Sequence, residues 1–293
     1  MPSLDYLELA NSMGISHGTI GAPVIIADGI KGGDGVIVKA GDPVNEIAVA
    51  SGIHDADAMI VVSHVKGHIQ AGFGGAVKNV AMGCICQWHR ENTAKVSRGS
   101  LHMEEKRGIT WDEELCTLCE DCIEVCPTFS LHREGDRIIR DKTCWYCMRC
   151  ERVCQTGAMQ GALDQEKFQK SIAESVKAVL GTFDKNKVLY INFNMEMHPG
   201  CDCMPVCDTP VAQDGGIFAS DDIVAVDWAS YKDMTFAAPL ENSGASDLNI
   251  KKGDNILKNL YPESNPELAF NELEKMGLGS SRYELMEIKS SEK

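Results

Sequence analysis

The sequence predicts an α/β fold, with a mixed or mostly parallel sheet, interrupted by a small cysteine-rich α+β module. Three observations predict it. Segments with helical periodicity alternate with short β-branched runs on both sides of the middle third. Eight of the thirteen cysteines crowd into two dense runs between Cys116 and Cys154. Hydrophobic residues make up 44% and charged residues 24%, the balance of a chain with a real core, which excludes disordered and fibrous classes. A length of 293 residues leaves room for about two domains.

Taken in order, residues 3–14 place Leu4, Leu7 and Met13 at roughly helical spacing. Residues 24–26, 36–38 and 59–62 are short apolar runs bounded by Gly and Asp, as buried strands are. Residues 72–75 form a glycine-rich turn that opens a helix, and residues 86–110 are a polar, irregular linker. Within the module, residues 130–140 fit a hairpin with Gly135 and Asp136 at its turn. Beyond it, Ile172, Val176, Val179, Leu180 and Phe183 mark one face of a helix over 164–183. Residues 188–191 read as a strand, 221–234 as a helix or strand-to-helix segment, 265–276 as a helix and 283–288 as a final strand. The economical division is an α/β domain over 1–105 and 164–293, with the module inserted at 106–163.

Lys plus Arg number 28 and Asp plus Glu 43, for a net charge of −15. Such a surface repels phosphate backbones and anionic headgroups, which argues against nucleic-acid and membrane partners. No apolar run approaches the ~20 residues of a membrane helix. The first residues, MPSLDYLELA, lack the basic and apolar regions of an export signal, so a cytoplasmic location is expected. In a reducing compartment, clustered cysteines serve as metal ligands or catalysts more often than as disulfides.

The two runs are Cys116-x2-Cys119-x2-Cys122-x3-Cys126-Pro127 and Cys144-x2-Cys147-x2-Cys150-x3-Cys154. This spacing resembles that of bacterial two-cluster ferredoxins, in which three close thiolates wrap one cube and the fourth crosses to the other. The resemblance implies two [4Fe-4S] clusters. Cluster I would be held by Cys116, Cys119, Cys122 and Cys154, and cluster II by Cys144, Cys147, Cys150 and Cys126. Gln155 stands where many relatives have a second proline, a change in loop rigidity and not in ligands. Zinc sites pair two C-x2-C knuckles across a longer spacer, a poorer fit to runs this dense.

Three further elements carry chemistry. His64-x-Lys66-x-His68 leads into the glycine-rich turn and then Lys78 and Asn79. Backbone N–H groups at such a turn suit a small phosphate or carboxylate, although neither the Walker nor the dinucleotide spacing is present. His68 and Lys78 also resemble a segment of nickel-pincer lactate racemases. That resemblance implies a histidine metal ligand and a lysine covalently bound to the cofactor; the plain alternative is a tight turn with a solvated lysine. Cys201-x-Cys203-x3-Cys207 follows His198, and Cys84-x-Cys86 lies after the glycine-rich helix. Together they make a candidate third metal site, unless the thiols are buried as small hydrophobes. Asp221, Asp222 and Asp227 are candidates for a general base, with helix capping the commoner role.

The flanks are similar to the family known as domain of unknown function 362, many of whose members carry the same ferredoxin insertion. The matching segments are Gly21-APVIIADG, Val62-SHVKGHIQAGFGGAVKNVAMGC, Cys201-Asp202-Cys203, Asp214-GGIFASDDIVAVDWA and the ending GLGSSRYELMEI. The resemblance implies a further N-terminal portion missing here, and with it an exposed sheet edge or a covering partner. The expected function is electron transfer between a redox partner protein and a site in the α/β domain, in an anaerobe-type oxidoreductase acting on a small anion. The alternatives are a non-catalytic carrier or structural subunit, and a metal-dependent isomerase.

Overall fold

A computed structural model describes residues 3–87, 101, 109–126, 129–141, 144, 149–161, 164–201 and 207–288. It divides the chain into two units, Met1–Leu101 with Gln169–Lys293, and His102–Phe168. Most of the expected 86–110 linker lies outside the described residues.

The larger unit begins with a helix, Ser3–Ser12, then a hairpin of β1 (Gly35–Lys39) and β2 (Glu46–Ala50). Strand β3 (Met59–His64) follows, then a tight hairpin of β4 (Lys66–His68) and β5 (Gly72–Gly74), and the helix Ala76–Gly83. The smaller unit holds β6 (Ile109–Trp111), the hairpin β7 (Leu131–Glu134) and β8 (Arg137–Arg140), and β9 (Met159–Gly161), which pairs back with β6. Gly135, at φ 61, turns that hairpin, as the sequence predicts. The chain returns through the helix Gln165–Leu180, β10 (Val188–Asn194), β11 (Gly216–Ser220) and the helix Ile223–Phe236.

The central sheet of the larger unit has the order β11-β10-β3, with β10 parallel to β3 and antiparallel to β11. The fold is therefore mixed α/β. Alternation along the strands sends Val61, Ser63, Tyr190, Asn192 and Asn194 to a buried face. The helices Ala76–Gly83 and Ile223–Phe236 pack on that sheet. Ile60, Val62, Leu189 and Ile217 point the other way and are exposed. The β-branched runs thus read in sequence as doubly buried, and one of their faces is open. The helix Ile223–Phe236 is buried on nearly all sides, so it shows no polar stripe. Its Trp228 and Tyr231 join Phe73 and Phe270 in edge-to-face contacts with centroids 5.5–6.1 Å apart.

Two expected strands are absent. Residues 24–26 follow Pro23 as irregular chain with Ile25 70% exposed, and residues 283–288 are irregular too, with Leu285, Met286 and Ile288 exposed. Among the described residues neither joins a ladder, and a strand without a ladder partner is not a strand. β2 was missed because Glu46 and a preceding Pro-containing turn mask its short apolar run.

The polar heart of the larger unit is Asp227. Its carboxylate accepts from the N–H groups of Ala76 (2.6 Å) and Val77 (2.8 Å) and from Asn192 Nδ2 (2.7 Å). Gly75, the residue before the helix, offers no side-chain cap, so the cap comes from a helix far along the chain. Gly75 is glycine because a Cβ there would sit 2.5 Å from Asp227 Oδ1. The same burial that positions Asp227 raises its pKa from 3.8 to about 6, against its three hydrogen bonds. Since the folded pKa is the higher one, stability from this group is greatest below 3.8 and is lost as pH rises through 6. Between pH 5 and 7 the wild type should therefore lose about 1 kcal/mol of urea-unfolding free energy relative to Asp227→Asn, which cannot titrate. Parallel curves for the two proteins would reject this role.

Candidate functional site

In the smaller unit, the loop after β6 is set by Asp112, whose carboxylate accepts from the N–H groups of Glu114 and Leu115. Leu118 and Glu120 then take left-handed conformations, φ 55 and 68, which wind the chain tightly before the short helix Asp121–Glu124. Cys116, Cys119 and Cys122 come to line one cavity, and Cys154, from the far end of the unit, lines it too. Burial raises the Cys122 thiol pKa, and the neighbouring Cys119, Cys116 and Cys154 raise it further. Cys154 is also partly desolvated, but the N–H of Met159 and the contacts of Thr156 and Ala158 outweigh this and lower its pKa. Backbone N–H groups donate to sulfur from Leu118 to Cys116 (3.5 Å), Met159 to Cys154 (3.3 Å) and Ser130 to Cys126 (3.3 Å).

Of the other predicted set, Cys126, Cys144 and Cys150 are described and Cys147 lies outside the described residues. Cys126 and the buried Cys150 contribute to the same small core as Leu131, Ile138 and Met159. Among the described residues, no three His, Cys, Asp or Glu side chains close on a single metal ion.

The second site lies in the larger unit, at the carboxyl end of β3, where open α/β sheets place their ligands. A cleft of about 320 Å³ is lined by Ser63, His64, Lys66, His68, Lys78 and Cys201, among others. Each is placed by its local fold. Lys66 pairs with Gly74 across the β4–β5 hairpin, and its stem lies over that glycine, within 3.7 Å of where a Cβ would be. Lys78 and Asn79 come from the helix capped by Asp227, and Asn79 Nδ2 donates to Val62 O and Ser63 Oγ (both 3.0 Å). Gly67 donates its N–H to His198 O (2.8 Å), and a Cβ on it would strike Pro199 O. Tyr261 Oη also donates to Pro199 O. These contacts hold the segment leading to Cys201 against β4.

His68 is 6% exposed. Its Nδ1 accepts from the N–H groups of Gln70 (3.1 Å) and Ala71 (3.0 Å), so the neutral ring carries its proton on Nε2. A neutral histidine that ligates through Nε2 needs the proton on Nδ1, donated outward. The two backbone donors oppose that tautomer, which weighs against His68 as a metal ligand. His64 Nε2 lies 2.8 Å from Met195 O, and His198 Nδ1 lies 2.7 Å from Asp208 O; each carbonyl fixes that nitrogen as the donor. Their rings stand edge to face with centroids 6.0 Å apart.

The structure places Cys201 in the cleft with His64, and of the other thiols of the predicted third metal site it describes Cys84, Cys86 and Cys207. Cys84 is buried with its thiol pushed up to about 12 and lies 4.0 Å from Met59 Sδ. Cys86 is fully buried against Ala48 and under Gly35, where a Cβ would strike its sulfur. Cys207 is partly exposed, and Cys203 lies outside the described residues. The glycine-rich turn also differs from expectation: the N–H groups of Ala76 and Val77 bind Asp227, so they do not face a ligand. Asp222 caps the helix Ile223–Phe236 through Val224 and Ala225 N–H. Ser63 was not singled out in sequence, because only the long-range bond from Asn79 ties it to the helix that carries Lys78.

The family described as domain of unknown function (DUF362) matches residues 1–232. A protein named uncharacterized ferredoxin MJ0199, from Methanocaldococcus jannaschii, is 39% identical over 56 residues, which are 18% of this chain and 90% of that protein. No solved structure matches the chain. Among the described residues, no helix is long and apolar enough to cross a membrane.

The placement of the thiols makes a chemical prediction. Iodoacetamide at pH 8 should label Cys201 and Cys207 in the native protein and leave Cys84 unmodified until urea unfolds the chain, as read by peptide mass mapping. Early labelling of Cys84 would show that its burial is wrongly described.

Proposed function

The chain belongs to the DUF362 family, and on that premise we propose that it is an iron–sulfur oxidoreductase that moves single electrons between a partner protein and the cleft of its α/β unit. Two [4Fe-4S] clusters serve this role, one on Cys116, Cys119, Cys122 and Cys154 and the other on Cys126, Cys144, Cys147 and Cys150. The observation that carries the reading is the presence of Cys154 in the same cavity as the first three cysteines. Likeness to a ferredoxin over 56 residues supports it.

When bound, such a cube supplies a reversible one-electron change at iron. The chain's own residues set the conditions for it. The N–H groups of Leu118, Met159 and Ser130 donate to cysteine sulfur, which favours the more negative, reduced state. Burial of Cys122 and Cys150 works the other way by disfavouring added charge. A net charge of −15 suits docking against a basic patch on a redox partner. The cleft, with its converging polar side chains, favours an enzyme over a bare carrier. The fixed tautomer of His68 disfavours the metal-dependent isomerase.

The ligand assignment is tested by a double substitution in anaerobically purified protein. Cys119→Ser and Cys154→Ser should each lower iron from about eight to about four atoms per chain. The double variant should retain the same remaining half and the electron paramagnetic resonance signal of a single reduced cluster. Loss of nearly all iron in the double variant would place the two cysteines on different clusters and overturn the assignment.

A further inference from the structure

We propose that the cleft of the larger unit binds a small organic or inorganic dianion, a dicarboxylate or a phosphate, between the ammonium groups of Lys66 and Lys78. The inference names the ligand class of the cleft that the functional reading above takes as the electron-transfer site. Binding itself requires no cluster, so the two readings fail separately.

Charge is the first argument. The chain carries 43 acidic against 28 basic residues, yet the described lining includes two lysines and two histidines and neither Asp nor Glu. A pocket of reversed sign in an acidic protein concentrates anions where the surrounding surface repels them. The buried Asp227 is turned inward and bound to Ala76, Val77 and Asn192. The anion is therefore held by side chains and not by the end of the helix.

Donor geometry is the second. The backbone bonds to His68 Nδ1 leave Nε2 carrying the proton of the neutral ring, a donor on a residue that lines the cleft. Lys66 and Lys78 reach the cleft from two separate elements, one on β4 and one on the helix Ala76–Gly83. Ammonium groups act as point charges and suit carboxylate and phosphate alike. Gly74, opposite Lys66, has no side chain to displace it. Two positive charges and a neutral donor among the described lining residues suit an anionic ligand of charge −2.

Size is the third. A volume of about 320 Å³ corresponds to roughly ten water molecules at ~30 Å³ each. It admits a compound of about that many non-hydrogen atoms, and the sequence carries no dinucleotide fingerprint.

The test uses the anaerobically purified holoprotein in a phosphate-free buffer at fixed ionic strength. Succinate, inorganic phosphate and chloride are titrated separately by calorimetry, with melting temperature as a second readout. Saturable one-to-one binding of succinate or phosphate is expected, with chloride inert, and the dianion that binds identifies its source as carboxylate or phosphate. Lys66→Met and Lys78→Met should each weaken binding tenfold or more without changing cluster absorbance or iron content. The uncharged diamide of succinate should not bind, a comparison that requires no variant. Failure of both dianions to saturate, equal binding of the diamide, or full binding by both lysine variants would overturn the proposal. Loss of iron–sulfur absorbance in the wild type with anion binding intact would instead count against the functional reading alone.

Discussion

The carboxylate of Asp227, 1% exposed, joins three parts of the larger unit through a few hydrogen bonds. It belongs to the helix Ile223–Phe236, caps the helix Ala76–Gly83 and accepts from Asn192 on the central strand β10. Burying a charge is expensive unless hydrogen bonds replace its water, and here two main-chain donors and an amide do so. The result fixes where the helix Ala76–Gly83 begins. That in turn fixes Lys78 and Asn79, the tie from Asn79 to Ser63, and the wall of the cleft. Further polar ties on the same helix face, Asn192 to Ser230 and Asn194 to Asp233, make this interface specific in register as well as apolar.

The smaller unit follows another principle. Its core consists of Cys122, Cys150, Leu131, Ile138 and Met159, with Cys116, Cys126 and Cys154 packed against it. A unit of this size buries too little apolar surface to be stable on that basis alone. Cysteines proposed as ligands thus occupy the positions where larger units place aliphatic side chains. Under the proposed function, folding and cofactor binding would be coupled, because the ligand free energy would supply what the core lacks.

The two sites differ in how they are built. Around the cysteine cavity, local chain geometry does most of the work: Leu118 and Glu120 adopt positive φ, and short spacers deliver three thiols from one loop. The cleft is assembled from segments far apart in sequence. Gly67 and Tyr261 press the Pro199 backbone against β4 and so bring Cys201 beside His64 and Lys66.

The eight-cysteine pattern, the helices near 165–180 and 223–236, the hairpin at Gly135 and the mixed α/β character were all legible in the sequence. Each depends on spacing within a short window, and short-range periodicity survives folding unchanged. Tertiary contacts decided the rest. Whether residues 24–26 or 283–288 become strands depends on a neighbouring backbone that no local pattern encodes. Cys84 and Cys86 look like ligands by spacing and are core residues because β2, Met59 and Gly35 enclose them. The glycine-rich turn looks like an anion cradle, but Asp227, 150 residues away from Val77, already occupies its donors. Charge on a side chain can be read from sequence; which long-range partner satisfies it is set only when distant segments meet.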